Sequence, residues 1–278
     1  MDELDELDEL DELDAPLAVR IGERRLVGRV RGAGAPTVVL EMGLGAAGSF
    51  YDDIAQQVGA FTRVVSYDRA GLGGSDPAPK PRTIEDIVAD LHALLHTATI
   101  PGPYVLIGHS LGGLTVRLYH ERYPAEVAAV VLIDAVHEEQ RQRFLALLPP
   151  ETASESADLA RLRHVWSVDW LDPSANEEGI DNVANSERMR RCGTLGVTPL
   201  IVISRGRPDR DATKYPAGFV EEVEQAWRQM QTELAALSSN SQRIIAHNSG
   251  HLINRDEPAV IVAAIQQAVT TIRAAMES

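Results

Sequence analysis

The chain has 278 residues, of which 44% are hydrophobic and 24% charged, and its formal net charge at pH 7 is −15. This composition is typical of a globular protein with one sizeable core in one or two domains. The acidic balance, without a clustered basic patch, argues against nucleic acid as a partner, and the single cysteine, Cys192, excludes an internal disulfide and a cysteine-based metal cluster.

The chain begins with an acidic repeat. Residues 2–14 read Asp-Glu-Leu four times and end in Asp, which accounts for nine of the negative charges. Leucines that recur every three residues drift around a helix instead of forming one apolar stripe, and closely spaced carboxylates repel one another. We therefore expect residues 1–16 to be a disordered, solvated leader, with an acidic docking arm as the alternative interpretation.

The sequence also carries information on cellular location. The N-terminus has neither the basic region nor the apolar stretch of a signal peptide, and no apolar run approaches the length of a membrane span. Together with the single cysteine, these observations predict a cytoplasmic protein without a membrane partner. The oligomeric state is left open by the sequence.

From Leu17 onward, short β-branched runs alternate with segments whose apolar residues recur at helical spacing. This alternation predicts an α/β fold with a mostly parallel sheet of eight strands and helices on both faces. The predicted strands cover residues 17–21, 25–30, 37–41, 62–67, 104–107, 127–133, 199–204 and 243–246. The predicted helices cover residues 49–58, 83–96, 111–122, 218–237 and 256–275.

Residues 136–197, which we call the cap segment, interrupt this alternation. They are rich in charge, contain Pro149-Pro150 and have no strand-like run. Because they fall between the sixth and seventh strands, we expect a helical cap over the strand ends, where open α/β sheets bind ligands. The core is then built from residues 17–135 and 198–278.

The most informative motif is Gly108-His109-Ser110-Leu111-Gly112, which follows the apolar strand at residues 104–107. Glycines two residues before and after a serine allow a strand to turn sharply into a helix, which exposes the serine hydroxyl above the sheet. Such a serine needs a base to take its proton. His251 follows the last predicted strand in Asn248-Ser249-Gly250-His251 and is the candidate base.

With Ser110 and His251, residues 17–278 resemble the α/β-hydrolase superfamily. After its third strand that family usually carries a His-Gly motif, and the next residue donates a backbone N–H to the oxyanion. Here Met42-Gly43-Leu44 stands at that place, so the histidine is replaced while the backbone donor is retained. The resemblance implies that the amides of Leu44 and Leu111 form the oxyanion hole.

A second family motif, D-R-x-G-x-G-x-S, is matched at residues 68–75 and is interpreted as scaffold.

The sequence leaves two candidates for the acid of the triad. The family most often places it after the seventh strand, where Asp209 stands in a loop crowded with arginines, whereas some members place it after the sixth, where Asp134 follows Val130-Val131-Leu132-Ile133. We favour Asp134, because the tip of a buried strand orients a carboxylate better than a charged loop does, and keep Asp209 as the alternative.

Other side chains suggest weaker roles. His137 at the start of the cap segment is a candidate substrate contact, and Trp166 and Trp170, four residues apart, are predicted to line the pocket from one helix face. His92 and His96 have the i, i+4 spacing of metal ligands, but the sequence shows no third ligand at a matching spacing. We therefore expect neither a metal nor a cofactor.

These features predict a serine hydrolase that cleaves an ester or related acyl compound, a small molecule, through a Ser-His-Asp triad and an acyl-enzyme intermediate. A serine rather than an aspartate at position 110 argues against a dehalogenase or an epoxide hydrolase. Two alternatives use the same residues or scaffold: an acyltransferase, and a non-catalytic ligand receptor. The substrate depends on the shape of the cap segment, which a single sequence does not reveal.

Overall fold

The computed structural model describes residues 14–277. Within them, eight strands form one sheet in the order β1-β2-β4-β3-β5-β6-β7-β8. The strands are β1 (Asp14–Ile21), β2 (Arg24–Arg31), β3 (Thr37–Glu41), β4 (Val64–Tyr67), β5 (Tyr104–His109), β6 (Val127–Ile133), β7 (Leu200–Arg205) and β8 (Ser241–Ala246). β2 is antiparallel to β1 and β4, and every other neighbouring pair is parallel. The predicted α/β fold class and sheet are thereby confirmed.

Nine α-helices connect or follow the strands in the described residues. They are α1 (Asp52–Gly59), α2 (Ile84–Thr97), α3 (Gly112–Arg122), α4 (Gln140–Leu147), α5 (Ala157–Ser167), α6 (Asn182–Met189), α7 (Phe219–Ala235), α8 (Ile253–Asp256) and α9 (Pro258–Met276). The start of α2 is set by a capping box, in which Thr83 and Asp86 satisfy each other's backbone amides.

Both faces of the sheet are buried. Along β6, Val130 and Leu132 point to a core cluster shared with α2 and α3, whereas Val131 and Ile133 point to a cluster shared with α1 and α9. Successive side chains of a strand point to opposite faces, so an uninterrupted apolar run is what a sheet covered on both sides requires. This layering leaves the ends of the parallel strands free to carry polar residues.

The last helix departs from one expectation. By length and composition α9 is apolar enough to cross a membrane, so the prediction that no run approaches a membrane span was wrong. One side of α9 nevertheless belongs to the core, where Ile261, Ile265 and Val269 are buried. A core helix of a globular protein passes the same test of length and composition.

The boundary of the leader is also corrected. The prediction placed residues 1–16 in a disordered leader; residues 1–13 lie outside the described part, but residues 14–16 belong to β1, where Asp14 pairs with Arg31 and Pro16 with Arg29. The Asp14 carboxylate accepts a hydrogen bond from Arg29 Nε at 2.8 Å. This ion pair and the β-ladder hold Asp14 in the strand.

The cap segment contains α4, α5 and α6 and two 3-10 turns, and no named strand lies among its residues. α4 and α5 pack on α7 through a third apolar cluster that includes Phe144, Trp166 and Trp227. Further along the segment, Glu178 contacts the loops that follow β3 and β4. The cap segment therefore touches the carboxyl ends of the parallel strands.

Candidate active site

Ser110 lies between the end of β5 and the start of α3, with a backbone φ of 53°. A positive φ is strained for a residue with a side chain and is typical of functional positions. A Cβ at Gly108 would lie 2.6 Å from the Gly112 carbonyl oxygen, and one at Gly112 would lie 2.2 Å from the Glu41 carbonyl oxygen. The turn therefore requires both glycines of the motif.

His251, in the loop after β8, is held by Asp134 at the tip of β6. Asp134 Oδ2 lies 2.7 Å from His251 Nδ1. The Asp134 side chain is fully buried, whereas that of His251 is 28% exposed. An imidazole that donates Nδ1–H to a carboxylate keeps Nε2 free to accept a proton, which is the tautomer that a general base needs.

Three further hydrogen bonds hold the Asp134 carboxylate. It accepts from the Arg205 guanidinium at 2.8 Å, from the Arg205 backbone amide at 3.1 Å and from Trp227 Nε1 at 2.8 Å. Burial disfavours the charged carboxylate, but the hydrogen bond from His251 and the charge of Arg205 outweigh it and lower the pKa of Asp134 to about 2. Asp134 is therefore ionised throughout the neutral range.

Arg205 does not neutralise the negative charge of Asp134 completely, because the same guanidinium is also paired with Glu224. Its guanidinium bonds Glu224 at 2.9 Å and lies 4.4 Å from the centre of the Trp227 ring. Two carboxylates thus share one guanidinium, so one negative charge is left over beside His251. That charge favours the imidazolium that forms when His251 takes a proton. The sequence shows only that arginines crowd the loop after the seventh strand, and it does not reveal this network.

Asp209, the alternative acid, contacts the backbone of His251. It is exposed, and its carboxylate is 3.4 Å from the His251 backbone amide. The ring nitrogen Nδ1 is bonded to Asp134 instead. In this arrangement Asp209 contacts the loop that carries His251, and Asp134 contacts the imidazole itself.

His109 contacts the loop that carries His251. Its Nε2 lies 3.1 Å from the His251 carbonyl oxygen, and the two imidazole rings are 4.9 Å apart. Burial, together with the neighbouring His251, lowers the pKa of His109 to about 4. His109 is therefore a neutral packing residue at the turn.

The two predicted oxyanion donors flank the serine. Leu44 and Leu111 line the same cavity as Ser110, and within residues 14–277 neither amide donates a hydrogen bond to another group. A backbone amide without a protein acceptor, next to the serine, is suited to bind an oxyanion.

The loop that carries Leu44 is fixed by a buried ionic cluster. Arg69 donates hydrogen bonds to the carbonyl oxygens of Met42 at 2.7 Å and Gly43 at 2.6 Å. The same guanidinium is bonded to Glu41 at 2.8 Å and to Glu178 at 2.7 Å, and Glu178 also accepts from the Gly45 amide at 2.7 Å. All three charged side chains are at least 98% buried.

This cluster gives the D-R-x-G motif a specific role, because Arg69 is the arginine of that motif. The scaffold interpretation did not identify its partners. Glu178 comes from the cap segment, 109 residues further along the chain, so no local pattern links the two.

The cavity above Ser110 has a volume of about 430 Å³. Its apolar wall is formed by Leu44, Leu111, Leu114, Val136, Val165 and Trp170, and its polar side chains include Gln140, Asn176, Asn182, Asn185 and Ser186. A volume of several hundred cubic ångströms with a few polar groups is typical of a small-molecule site.

Two of the three predicted pocket residues lie elsewhere. Trp166 is buried against Phe144, with ring centres 5.0 Å apart, and does not line the cavity. α5 ends at Ser167, so Trp170 falls in a separate 3-10 turn and the assumed shared helix face does not exist. His137 is buried beside Glu233, with Nε2 3.4 Å from that carboxylate, and also misses the cavity.

Comparison with known proteins gives consistent matches. A family model described as alpha/beta hydrolase fold matches residues 36–167. The chain is 28% identical to the uncharacterized protein YqjL of Bacillus subtilis, over 84% of each chain, and 25% identical to an AB hydrolase superfamily protein of Gibberella zeae, over 86% of this chain and 87% of that one. A thermophilic esterase of Thermogutta terrifontis superposes with a TM-score of 0.62 at 18% identity, over 93% of this chain and 98% of the esterase, which is a likeness of fold.

Proposed function

We propose that this chain, which belongs to the α/β-hydrolase superfamily, is a serine hydrolase of small acyl compounds, esters above all. The observation that carries the proposal is the 2.7 Å hydrogen bond between Asp134 and His251 Nδ1. The His251 loop lies against the turn that carries Ser110, because His109 Nε2 is 3.1 Å from the His251 carbonyl oxygen. A buried carboxylate, an oriented imidazole and a serine on a strained turn are the parts of an activated nucleophile.

The chemistry follows from these positions. His251 Nε2 takes the proton of Ser110 as Oγ attacks the acyl carbon, and the Leu44 and Leu111 amides bind the oxyanion. When the tetrahedral intermediate collapses, the bond to the leaving alcohol breaks and His251 gives the alcohol its proton. A water molecule, deprotonated by His251, then attacks the acyl-enzyme, and the carboxylic acid is released as Ser110 regains its proton.

The cavity supports a substrate with an apolar body. Leu114, Val136 and Trp170 are among the apolar residues that line the cavity together with Ser110, and polar side chains line the same cavity. An acyl chain gains free energy at about 25 cal/mol per Å² when it leaves water for such a wall. We therefore infer that short to medium acyl chains are preferred over acetyl.

The test is labelling with a fluorophosphonate probe followed by peptide mapping, combined with hydrolysis of 4-nitrophenyl esters from acetate to octanoate. Wild type is expected to be labelled at Ser110, and Ser110→Ala to lose labelling and about 10³-fold or more of its turnover. The matched control is Ser186→Ala, which removes another hydroxyl from the same cavity and is expected to keep both.

Two results would contradict the proposal: labelling that persists in Ser110→Ala, or a wild type that is folded by circular dichroism but neither reacts with the probe nor hydrolyses any ester. Transfer of the acyl group to an added alcohol, at a rate well above that of hydrolysis, would instead identify an acyltransferase with the same triad.

A further inference from the structure

We propose that His92, His96 and Glu126 form a binding site for a divalent transition metal, with Zn²⁺ as the cation that suits them best. His92 and His96 lie one turn apart near the end of α2, and Glu126 lies in the 3-10 turn immediately before β6. Since Ser110 and Asp134 follow the carboxyl ends of their strands, this cluster is at the opposite end of the sheet. It is separate from the proposed hydrolase site.

The distances fit a metal site. Glu126 Oε1 lies 3.1 Å from His96 Nε2 and 3.4 Å from His92 Nε2, and the three candidate ligand atoms are all within 4.8 Å of one another. In tetrahedral coordination with bonds of about 2.0–2.1 Å, neighbouring ligand atoms are about 3.4 Å apart. Both Nε2 atoms therefore already lie at a distance from the carboxylate oxygen that is close to the spacing in a zinc site.

The surrounding residues hold the ligands in this orientation. The hydroxyl of buried Tyr119 donates to Glu126 Oε2 at 2.7 Å, which turns Oε1 toward the histidines. The His92 ring stacks on Tyr123, with ring centres 3.9 Å apart and an interplanar angle of 12°. Metal ligands are typically oriented by such neighbouring hydrogen bonds and packing.

The ligand types select the metal. Two imidazole nitrogens and one carboxylate suit zinc and its neighbours in the first transition row, whereas calcium and magnesium prefer oxygen ligands alone. The His96 side chain is 53% exposed, so a fourth ligand from solvent, a water molecule, has access. The site therefore matches an open three-ligand arrangement.

A second group of histidine and glutamate side chains differs from this cluster, because its carboxylates are already paired with an arginine. His137, Glu139 and Glu233 also bring their ligand atoms within 4.8 Å of one another. There, however, the Arg143 guanidinium bonds Glu139 at 2.6 Å and Glu233 at 2.7 Å, so a positive charge already satisfies the carboxylates. Within the described residues, no arginine or lysine is paired with Glu126.

The first experiment is equilibrium dialysis of the tag-free protein against Zn²⁺, with His96→Ala and Glu126→Gln as test variants. We expect one zinc ion per chain in wild type and at least a tenfold loss of affinity in each variant. His247→Ala, which removes an exposed histidine outside the cluster, is the control and is expected to bind zinc as wild type does.

Co²⁺ gives a readout of geometry that nonspecific binding does not reproduce. A four- or five-coordinate cobalt ion absorbs visible light strongly, and we expect this absorption in wild type and His247→Ala but not in His96→Ala. Zinc is also expected to raise the melting temperature of wild type, because it links α2 to the turn before β6. We expect no such increase in His96→Ala or Glu126→Gln.

Three results would overturn the proposal: no zinc retained by wild type, equal zinc affinity in His96→Ala and His247→Ala, or the weak spectrum of six-coordinate cobalt. In each case the cluster is a set of hydrogen-bonded surface side chains. Ester hydrolysis is not used as a readout, so failure here is distinct from failure of the proposed function.

Discussion

Arg69 and Glu178 form a buried, two-point ion pair between the loop after β4 and the cap segment, with both nitrogen–oxygen distances at 2.7 Å. The pair does not act on substrate. It positions the Leu44 amide, because Arg69 holds the carbonyl oxygens of Met42 and Gly43 and Glu178 holds the amide of Gly45. The position of the cap segment and the geometry of the Leu44 loop, the proposed oxyanion loop, are therefore expected to be coupled.

Glu178→Ala is expected to lower kcat by about tenfold or more and kcat/KM by the same factor, since an oxyanion donor acts in the transition state. It also removes one of the two carboxylates that bond buried Arg69, which keeps Glu41 as its partner, and leaves one side of the guanidinium without an acceptor, so we expect a loss of about 1–3 kcal/mol of unfolding free energy. Steady-state kinetics and urea unfolding measure the two effects. Glu178→Gln retains an acceptor for Arg69 and Gly45 and is expected to recover part of the kcat.

The control is Glu177→Ala, the exposed neighbour, which is expected to change neither quantity. A Glu178→Ala protein that loses stability but keeps wild-type kcat would show that the ion pair is purely structural.

Asp134→Asn is expected to lower kcat by about 10⁴-fold, because an amide favours the wrong imidazole tautomer. Asp209→Asn is expected to stay within about threefold of wild type, since Asp209 contacts the backbone of His251 and not its ring. Both are measured on one 4-nitrophenyl ester at saturating concentration. The reverse ranking of the two variants would transfer the role of the acid to Asp209.

The buried histidine beside the nucleophile predicts acid sensitivity. With the pKa of His109 at about 4 in the folded protein and about 6.5 in the unfolded chain, the unfolded state binds the proton first as pH falls. Between pH 6.5 and 4 this group therefore removes about 3 kcal/mol of stability.

Urea unfolding at pH 7, 5.5 and 4 tests this expectation. His109→Gln has no titrating group at this position, so its stability is expected to fall less steeply over the same interval. Parallel pH profiles for wild type and His109→Gln would show that His109 takes up its proton in the folded protein near the ordinary pKa.

The turn at Ser110 predicts different effects on stability when alanine replaces Gly112 or Gly193. Gly112→Ala places a methyl group 2.2 Å from the Glu41 carbonyl oxygen, and because that atom is backbone we expect a loss of about 1–3 kcal/mol or more in unfolding free energy, with reduced turnover. Gly193→Ala meets no atom within 4 Å and is expected to leave both unchanged. Equal unfolding free energies of the two variants would show that the backbone of the turn shifts to accommodate the methyl group without loss of stability.

Some of this protein could be predicted from sequence because it depends on local patterns. The β-branched runs identified the strands, and the glycines around Ser110 identified the turn, since a period of two and a two-residue spacing are visible in one short window. Trp166 and Trp170 failed the same kind of inference because the helix between them ends at Ser167, and helix ends are poorly marked in a charged segment.

By itself, the sequence determined the α/β sheet and the glycine-flanked turn at Ser110, and it offered His251 as the candidate base, because each depends on residues that are neighbours along the chain. Only the tertiary structure decided which carboxylate lies against the His251 ring, since Asp134 is 117 residues away and Asp209 is 42. The same holds for the Arg69–Glu178 pair and for Glu126 beside His92 and His96. Their contacts depend on side-chain directions at the ends of different elements, and those directions are set only when the strands, the helices and the cap segment have packed together.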